Sequence, residues 1–374
     1  MVALPIPTTP TIDKIYEGYE ASEKPRHSNR LGASQFGNPC DRALWYSFRW
    51  VSPPETFAGR MLRLFETGHR EELRMLANLQ TAGVTVEPVD PATGQQWEYT
   101  GIAGHLVAKL DGIGRGFAEA PIASHSIETK THNEKSFKEV VTKGVALAKP
   151  GHFAQMQIGM HLSGLPRAYY MAHNKNTDEL HQERIAYDPV AAGQLMARAQ
   201  RIIYAQTPPA RLHDDPNHKM AFACKYCPHF AVCHEKTTPG RRNCRTCLHS
   251  TPATGGFGCD VFKQINEPYL QERGCSIHLF IPDLVPGEQV DADLDNRTVT
   301  YRMADGREWI DGKNSPEAKV LPEGGGPLTD DKATGDVDAS GVPSGDVSHS
   351  IKSSDPANIT DELAVPDFLK RGAA

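Results

Sequence analysis

No apolar run in this chain approaches the roughly 20 residues that a membrane-spanning helix needs, so no membrane partner is expected of its 374 residues. A secretory leader is not expected either. Met1 to Pro10 carries three prolines and no basic stretch ahead of an apolar one, and the expected compartment is the cytosol. Positive charge is not in excess: the net charge is −6. From Ser315 onward there are 11 acidic and 5 basic residues, so the first 314 residues hold 35 of each sign. With no overall positive field, any contact with nucleic acid has to rest on local basic patches. Cysteine is nearly absent from the first 223 residues, where Cys40 stands alone. The other seven, Cys224, Cys227, Cys233, Cys244, Cys247, Cys259 and Cys275, crowd into one short region. In a cytosolic chain, clustered cysteines read as metal ligands rather than disulfides, and eight divides into two sets of four.

What is present suits a globular protein. Hydrophobic residues make up 39% and charged residues 23%, and the length allows one large domain plus a smaller one. Residues 1–30 are polar and proline-containing. Ser34 to Trp50 reads as helical, with Ala43, Leu44, Trp45 and Phe48 on one face. Phe57 to Gly83 reads as a long amphipathic helix with Met61, Leu64, Phe65, Leu73 and Leu76 at helical spacing. Residues 95–130 alternate as strands do, and His152 to Ser163 reads as a helix stopped by Gly164 and Pro166. Arg167 to His173 and Glu179 to Tyr187 read as a strand pair, followed by a helix over Ala191 to Gln206. This order predicts an α/β core with a mixed sheet flanked by helices. The expected organisation is an N-terminal extension over 1–30, a core domain over 31–236, a cysteine-rich module with a hairpin over 240–312, and a tail over 313–374. The hairpin is placed at Thr298 to Trp309, turning at Asp305-Gly306. The tail is rich in Gly, Ser, Pro and Asp over 315–360 and is expected to be disordered.

One constellation carries chemistry. Asp111 closes an alternating strand in Lys109-Leu-Asp-Gly-Ile113. Seventeen residues on comes Ile127-Glu-Thr-Lys130. Glu128 and Lys130 are two apart on a strand and point to one face. That face offers carboxylates to a hard cation such as Mg²⁺ or Mn²⁺, with an ammonium beside them. His69, in Glu66-Thr-Gly-His-Arg-Glu-Glu72, is a candidate further ligand. Each element taken singly has an ordinary structural reading, as a turn, a helix histidine or a common strand pair. Their order is what points to a site.

The sequence resembles the RecB-like branch of the PD-(D/E)XK nucleases, including phage and YqaJ-type exonucleases. Gly68-His69 matches the family's helix pair, Asp111 its aspartate, and Glu128 with Lys130 its Glu-x-Lys. Gln155 or Gln157, in Phe153-Ala-Gln-Met-Gln-Ile-Gly-Met160, matches a helix glutamine. The family's usual Gln-x-x-x-Tyr departs here, since Gly159 stands where the tyrosine is expected from Gln155. The resemblance covers roughly residues 30–235. It implies a restriction-endonuclease-like core and metal-dependent hydrolysis of DNA, by an exonuclease of phage or bacterial recombination, replication or repair. A structure-specific endonuclease and a non-catalytic DNA-binding accessory protein are the competing readings.

Cys40 together with Cys224-x2-Cys227-x5-Cys233 resembles AddB and the CRISPR-associated RecB-like nucleases, where one cysteine before the core and three after it bind a [4Fe–4S] cluster. That resemblance implies a cluster closing a loop around the core. Zinc on four thiolates, or with His229 or His234 in place of Cys40, is the alternative. Cys244-x2-Cys247 with Cys259 and Cys275 gives a second set, read as structural Zn²⁺ with His249 and His278 as spare ligands. A unit of about 40 residues has too little core to stand without such a staple. Arg241, Arg242 and Arg245 beside it read either as phosphate contacts or as a solvated face. Lys135, Lys138, Lys143 and Lys149 likewise either track a DNA backbone or face water. Asp361 to Arg371 ends the tail with an acidic-then-apolar motif of the kind that docks on a protein partner.

Overall fold

In the computed structural model, which describes residues 9–312, the chain opens with α1 (Pro10–Ser22), the short β1 (Leu31–Gly32), α2 (Asp41–Phe48) and the long α3 (Gly59–Thr81). Strands β2 (Thr85–Glu87), β3 (Glu98–Gly101), β4 (Leu106–Lys109), β5 (Gly112–Arg115) and β6 (His125–His132) follow. The helices α4 (Glu134–Lys143), α5 (Val145–Ala148) and α6 (Pro150–Ser163) cross over to β7 (Arg167–Asn174), then β8 (Leu180–Ala186) and α7 (Pro189–Tyr204). The remainder holds α8 (Phe230–His234), β9 (Ser250–Ala253), β10 (Gly256–Cys259), β11 (Gln264–Asn266), α9 (Pro268–Gln271), β12 (Glu288–Asp293), β13 (Thr298–Arg302) and β14 (Glu308–Gly312).

The central sheet runs β2-β5-β6-β7-β8, with β6 and β7 parallel and the other neighbours antiparallel. Parallel neighbours need a crossover, and α4 to α6 supply it. The sheet is thus mixed and flanked by helices, as expected. Its two faces follow from strand alternation. Ile127, Tyr169 and Met171 pack against Met75, Leu76 and Leu79 of α3. Ala168, Tyr170 and Ala172 pack against Phe137, Val140, Met156 and Met160 of α4 and α6. Central strand β7 is buried along almost its whole length, which is why its Ala-Tyr-Tyr-Met-Ala run shows no polar alternation.

Local signals set the element ends. Pro150 opens α6, and Gly164 closes it in a left-handed conformation at φ 74° that a side chain would strain. Asp188 caps α7 by accepting from the Val190 and Ala191 amides, and Asn133 caps α4 by accepting from Ser136. The predicted helix over Ser34 to Trp50 is instead a 3₁₀ turn (Ala33–Gly37) followed by α2, with Cys40 as its N-cap. The apolar stripe predicted for the long helix also differs. Leu64, Phe65 and Leu73 are exposed, and Met75, Leu76 and Leu79 are the buried residues. Helix α1, not foreseen, lies against the first half of α3, where Gly59 sits directly over the Tyr16 backbone.

The cysteine-rich segment does not stand apart from the core. Phe257, Ile281 and Leu284 share one apolar cluster with Leu44, Trp45 and Phe48 of α2. His105 bonds through Nε2 to the Ala253 carbonyl, 2.9 Å away. The hairpin β13–β14 forms as predicted, with Gly306 at φ 83° in its turn. The expected disorder over 315–360 and the docking motif at Asp361 to Arg371 lie outside the described residues.

Helix α6 reaches its place through a glycine pair. A Cβ on Gly37 would fall 2.8 Å from the Gly151 Cα, so the backbones touch. Gly37→Ala should therefore cost about 1–3 kcal/mol in urea unfolding through overpacking. Gly18→Ala, in the open interior of α1 with nothing near it, should be neutral or slightly stabilising. Equal stability of the two variants would show that the pair does not set the spacing.

Candidate functional site

Strands β4 and β5 belong to different sheets, and Asp111 sits on the short link where the chain passes between them. The β5–β6 ladder ends at the pair Gly112 and Ile127. Beyond it, on the edge that β5 leaves open, Asp111 Oδ2 accepts from the Thr129 amide at 2.8 Å and from its hydroxyl at 2.9 Å. A carboxylate so held is fixed in position, and its Oδ1 is left without a hydrogen bond among the described residues. Glu128 and Lys130 share the face of β6 that looks toward α6. Glu128 is 2% exposed. Its Oε1 pairs with the Lys130 ammonium, and its Oε2 accepts from Gln155 Nε2 at 3.0 Å. Burial pushes the Glu128 carboxyl up to about 7; Lys130 pulls it down, while Asp111 and Glu72 push it further up. Burial opposes the charge of Lys130, but Glu128 and Asp111 outweigh it and hold the ammonium above its ordinary value.

Glu72 is the residue that sequence reasoning missed. It comes from the middle of α3 and acts electrostatically on Lys130 and Glu128. Its own carboxyl is pushed up to about 7, first by burial and then by Asp111. The signal was present as the second glutamate of His69-Arg-Glu-Glu72, three residues past the histidine. His69 itself is exposed and makes no hydrogen bond or ion pair among the described residues. The two glutamines separate. Gln155 reaches Glu128, whereas Gln157 is fully buried with Nε2 on the Ala186 carbonyl and Oε1 on the Asp188 amide. Gln157 thus ties the end of β8 to the start of α7, and its placing among the catalytic candidates is corrected. Gly159 has its own reason: a Cβ there would already lie 3.1 Å from Leu110, so a tyrosine ring has no room. A tyrosine nears Glu128 from β7 instead. Tyr170 pairs with Glu128 in the strand register, and its hydroxyl bonds His132 Nε2 at 2.8 Å and His152 Nδ1 at 2.9 Å. Burial, then neighbouring lysines, lowers these histidines to about 4 and about 3.

Both Cys-x-x-Cys segments adopt the same turn, the amide of the second cysteine bonding the carbonyl of the first at 3.2 Å. None of the eight cysteines is in a disulfide. Cys40, Cys224, Cys227 and Cys233 line one cavity together with Arg42, Arg211 and His234. Burial and the neighbouring sulfurs push the Cys227 thiol up to about 11. His229 is excluded as a stand-in ligand, because Ser47 and Ser52 occupy its two ring nitrogens. In the second set each of Cys244, Cys247, Cys259 and Cys275 lies within electrostatic reach of the other three. His278 is likewise engaged, with Nε2 on the Asn243 carbonyl and the Thr246 hydroxyl and Nδ1 on Arg242. As the side chains stand, no group of three or more His, Cys, Asp or Glu among the described residues is arranged to hold a metal ion. Lys130 occupies Glu128, and Thr129 occupies Asp111.

The basic residues fare unevenly. Arg245 is 1% exposed and lies 4.0 Å over the Trp50 ring, so it is a core residue, neither a phosphate contact nor a solvated face. Arg242 pairs with buried Asp311 at 2.7 Å, and Arg241 is exposed. Lys138, Lys143 and Lys149 pair with Glu134 and Glu139 of α4, while Lys135 is exposed without an ion pair among the described residues.

No family model and no curated protein matches the chain. Among solved structures it is similar to LHK-Exo in complex with dAMP, with TM-score 0.36 and 18% identity over 50% of this chain and 90% of that one. It is similar to the alkaline exonuclease (LHK-Exo) from Laribacter hongkongensis, with TM-score 0.36 and 16% identity over 50% and 90%. SSO0001 gives TM-score 0.35 and 18% identity over 60% and 95%. A likeness at this level carries no functional argument. Among the described residues no helix is long and apolar enough to cross a membrane.

The electrostatics make a prediction of their own. The Glu72 carboxyl is raised in the fold, so the protonated form is favoured there. That contribution is present at low pH and is lost as pH rises through about 7. In metal-free protein, Glu72→Gln should raise the unfolding free energy by about 1 kcal/mol near pH 8, after allowance for solvent screening, and leave it unchanged near pH 4. Urea titrations at the two pH values check this, and a loss of stability at the higher pH would contradict it.

Proposed function

We propose that this chain is a divalent-metal-dependent DNA nuclease, acting as an exonuclease in DNA recombination, replication or repair. The observation that carries the reading is the meeting of Glu72, Asp111, Glu128, Lys130 and Gln155 from four separate parts of the chain around the open edge of β6. The donor set fits a hard cation. Three carboxylates supply oxygen, the ligand type that suits Mg²⁺ or Mn²⁺. Two of them are pushed up to about 7, first by burial and then by neighbouring carboxylates, a cost of ionisation that a divalent cation would relieve. Asp111, Glu128 and Glu72 would hold it, with His69 one turn earlier on α3 as an outer contact.

When bound, such a cation polarises a phosphodiester and acidifies a water. The chain's own groups do the rest. Thr129 fixes Asp111, and Gln155 keeps Glu128 from turning away. Lys130 retains its proton at Nζ and answers the negative charge that develops on the phosphate oxygens. Lys135, exposed on the helix that follows β6, is proposed to meet the flanking DNA backbone.

Lys130→Ala should lower kcat by about 10²–10³-fold with DNA binding nearly intact, because its contact is made in the transition state. Asp111→Asn should abolish cleavage, and Glu72→Gln should cost more activity than His69→Ala. End-labelled linear DNA and closed circles, each with Mg²⁺ or Mn²⁺, form the assay. Cutting of linear DNA alone supports the exonuclease. Nicking of circles supports the endonuclease. Parental rates in both Lys130→Ala and Asp111→Asn would remove the nuclease reading and leave the DNA-binding accessory protein.

The first cysteine set is proposed to hold a [4Fe–4S] cluster. Four cysteines line one cavity, and the positive charge of Arg42 and Arg211, which line it too, suits an anionic tetrathiolate. There Cys40 would be tied to Cys224, Cys227 and Cys233, closing the chain around the core. Anaerobically purified protein should be brown and carry about four iron and four sulfide per chain. Iron-free protein with zinc in both sets would reverse this assignment.

A further inference from the structure

Two arginines are buried in the core with no carboxylate among the described residues to answer them. Arg49 is 0% and Arg245 1% exposed. Arg49 donates to the carbonyls of Arg245, Ser250 and Ala205 at 3.2, 3.1 and 3.1 Å, and its Nε has no partner. Arg245 donates to Gln271 Oε1 and to the Phe48 and Asn29 carbonyls at 2.7, 2.8 and 2.9 Å. All six acceptors are neutral. Trp45, Trp50, Phe48 and Phe257 supply ring faces, which attract cations but carry no net charge. The two guanidiniums also repel each other. The third arginine of the region, Arg242, has its charge answered by Asp311. Two positive charges therefore remain in a water-poor interior, an arrangement that is unfavourable unless compensated.

The groups nearest in charge to them are thiols. Arg49 is within electrostatic reach of Cys247, and Arg245 of Cys244. Arg245 lies inside the Cys244-x2-Cys247 turn, and Arg49 bonds the backbone of that turn and of Ser250 just after it. We infer that Cys244, Cys247, Cys259 and Cys275, which are not arranged around an ion as they stand, draw together on one Zn²⁺ as a tetrathiolate whose net charge of about −2, four thiolates on one divalent ion, is the internal counter-ion of Arg49 and Arg245. This deepens the reading of the second set as a structural zinc site. It chooses the ligand set as well. A site with three cysteines and His249, whose buried Nε2 has no partner, would carry one negative charge fewer and leave a guanidinium unanswered. The inference also accounts for the docking of the cysteine-rich segment on α2: the metal site and the arginines attract across that junction.

The test measures zinc affinity of the full chain by chelator competition, for the parent, Arg49→Lys and Arg49→Met. One tightly held zinc in this set is expected in the parent, besides any metal in the first. Affinity should fall roughly tenfold or more in Arg49→Met and much less in Arg49→Lys, which keeps the charge. Zinc bound as tightly by Arg49→Met as by the parent overturns the counter-ion role while leaving the zinc site standing. Absence of metal from Cys244 to Cys275 overturns both. Should Arg49→Met fail to fold, Cys275→His in the parent gives a second route. It keeps four ligands and removes one negative charge, so it should retain zinc yet lower the melting temperature by roughly 5 °C or more. An unchanged melting temperature with zinc retained contradicts the inference. X-ray absorption on the parent that finds a nitrogen ligand does so too.

Discussion

Glu128 is held in the middle of the central sheet with almost no access to water, and its negative charge has to be answered where it stands. Much of the surrounding structure follows from that. Lys130 answers it along the same strand face, Gln155 supplies a neutral donor from α6, and the glycine pair at Gly37 and Gly151 lets α6 come close to its neighbours. Asp111 and Glu72 then add like charge to the neighbourhood. A group of this composition is costly for the fold and useful for chemistry. The carboxyls that resist ionisation are the ones a divalent cation would stabilise most.

The cysteine-rich part sets the opposite problem, positive charge buried without an acid. The two problems sit at different places in one unit, and in each the costly buried charge is what the proposed ion would relieve. The sheet supplies acids around a lysine, and the α2 junction supplies arginines beside thiols. Apolar packing alone, as in the cluster shared by Trp45, Phe48 and Phe257, would not select either set of residues.

What the sequence made legible was local. The alternation through Ile127-Glu-Thr-Lys130 placed the two charges on one face, the Gly164 stop ended α6, and Asp305-Gly306 turned the last hairpin. The order of strands and helices around β6 and β7 was enough to predict a mixed sheet. The misread elements needed tertiary information. The stripe on α3 was misjudged because only its second half, through Met75, Leu76 and Leu79, packs on the sheet, and nothing in the periodicity of α3 announces where that contact begins. Gln155 and Gln157 look alike in sequence, and only the depth of α6 against β8 separates them. Arg245 resembles a surface cation until Trp50 and Phe257 close over it. Glu72 was overshadowed by His69, a residue type that attracts attention as a ligand, although a helix turn later the chain is closer to the carboxylates.

The first cysteine set has a consequence for how the chain is made. Cys40 and Cys233 are 193 residues apart in sequence, yet they line one cavity. At roughly 5–20 residues per second of synthesis, the N-terminal thiol leaves the ribosome about ten to forty seconds before its last neighbour does. During that interval α2, the long helix and the sheet can assemble, but the cavity lacks up to three of its four cysteines. The final closure is thus a late event in biogenesis. A nascent chain stalled before residue 224 would expose Cys40 alone, open to oxidation or capture by a wrong partner in the cell.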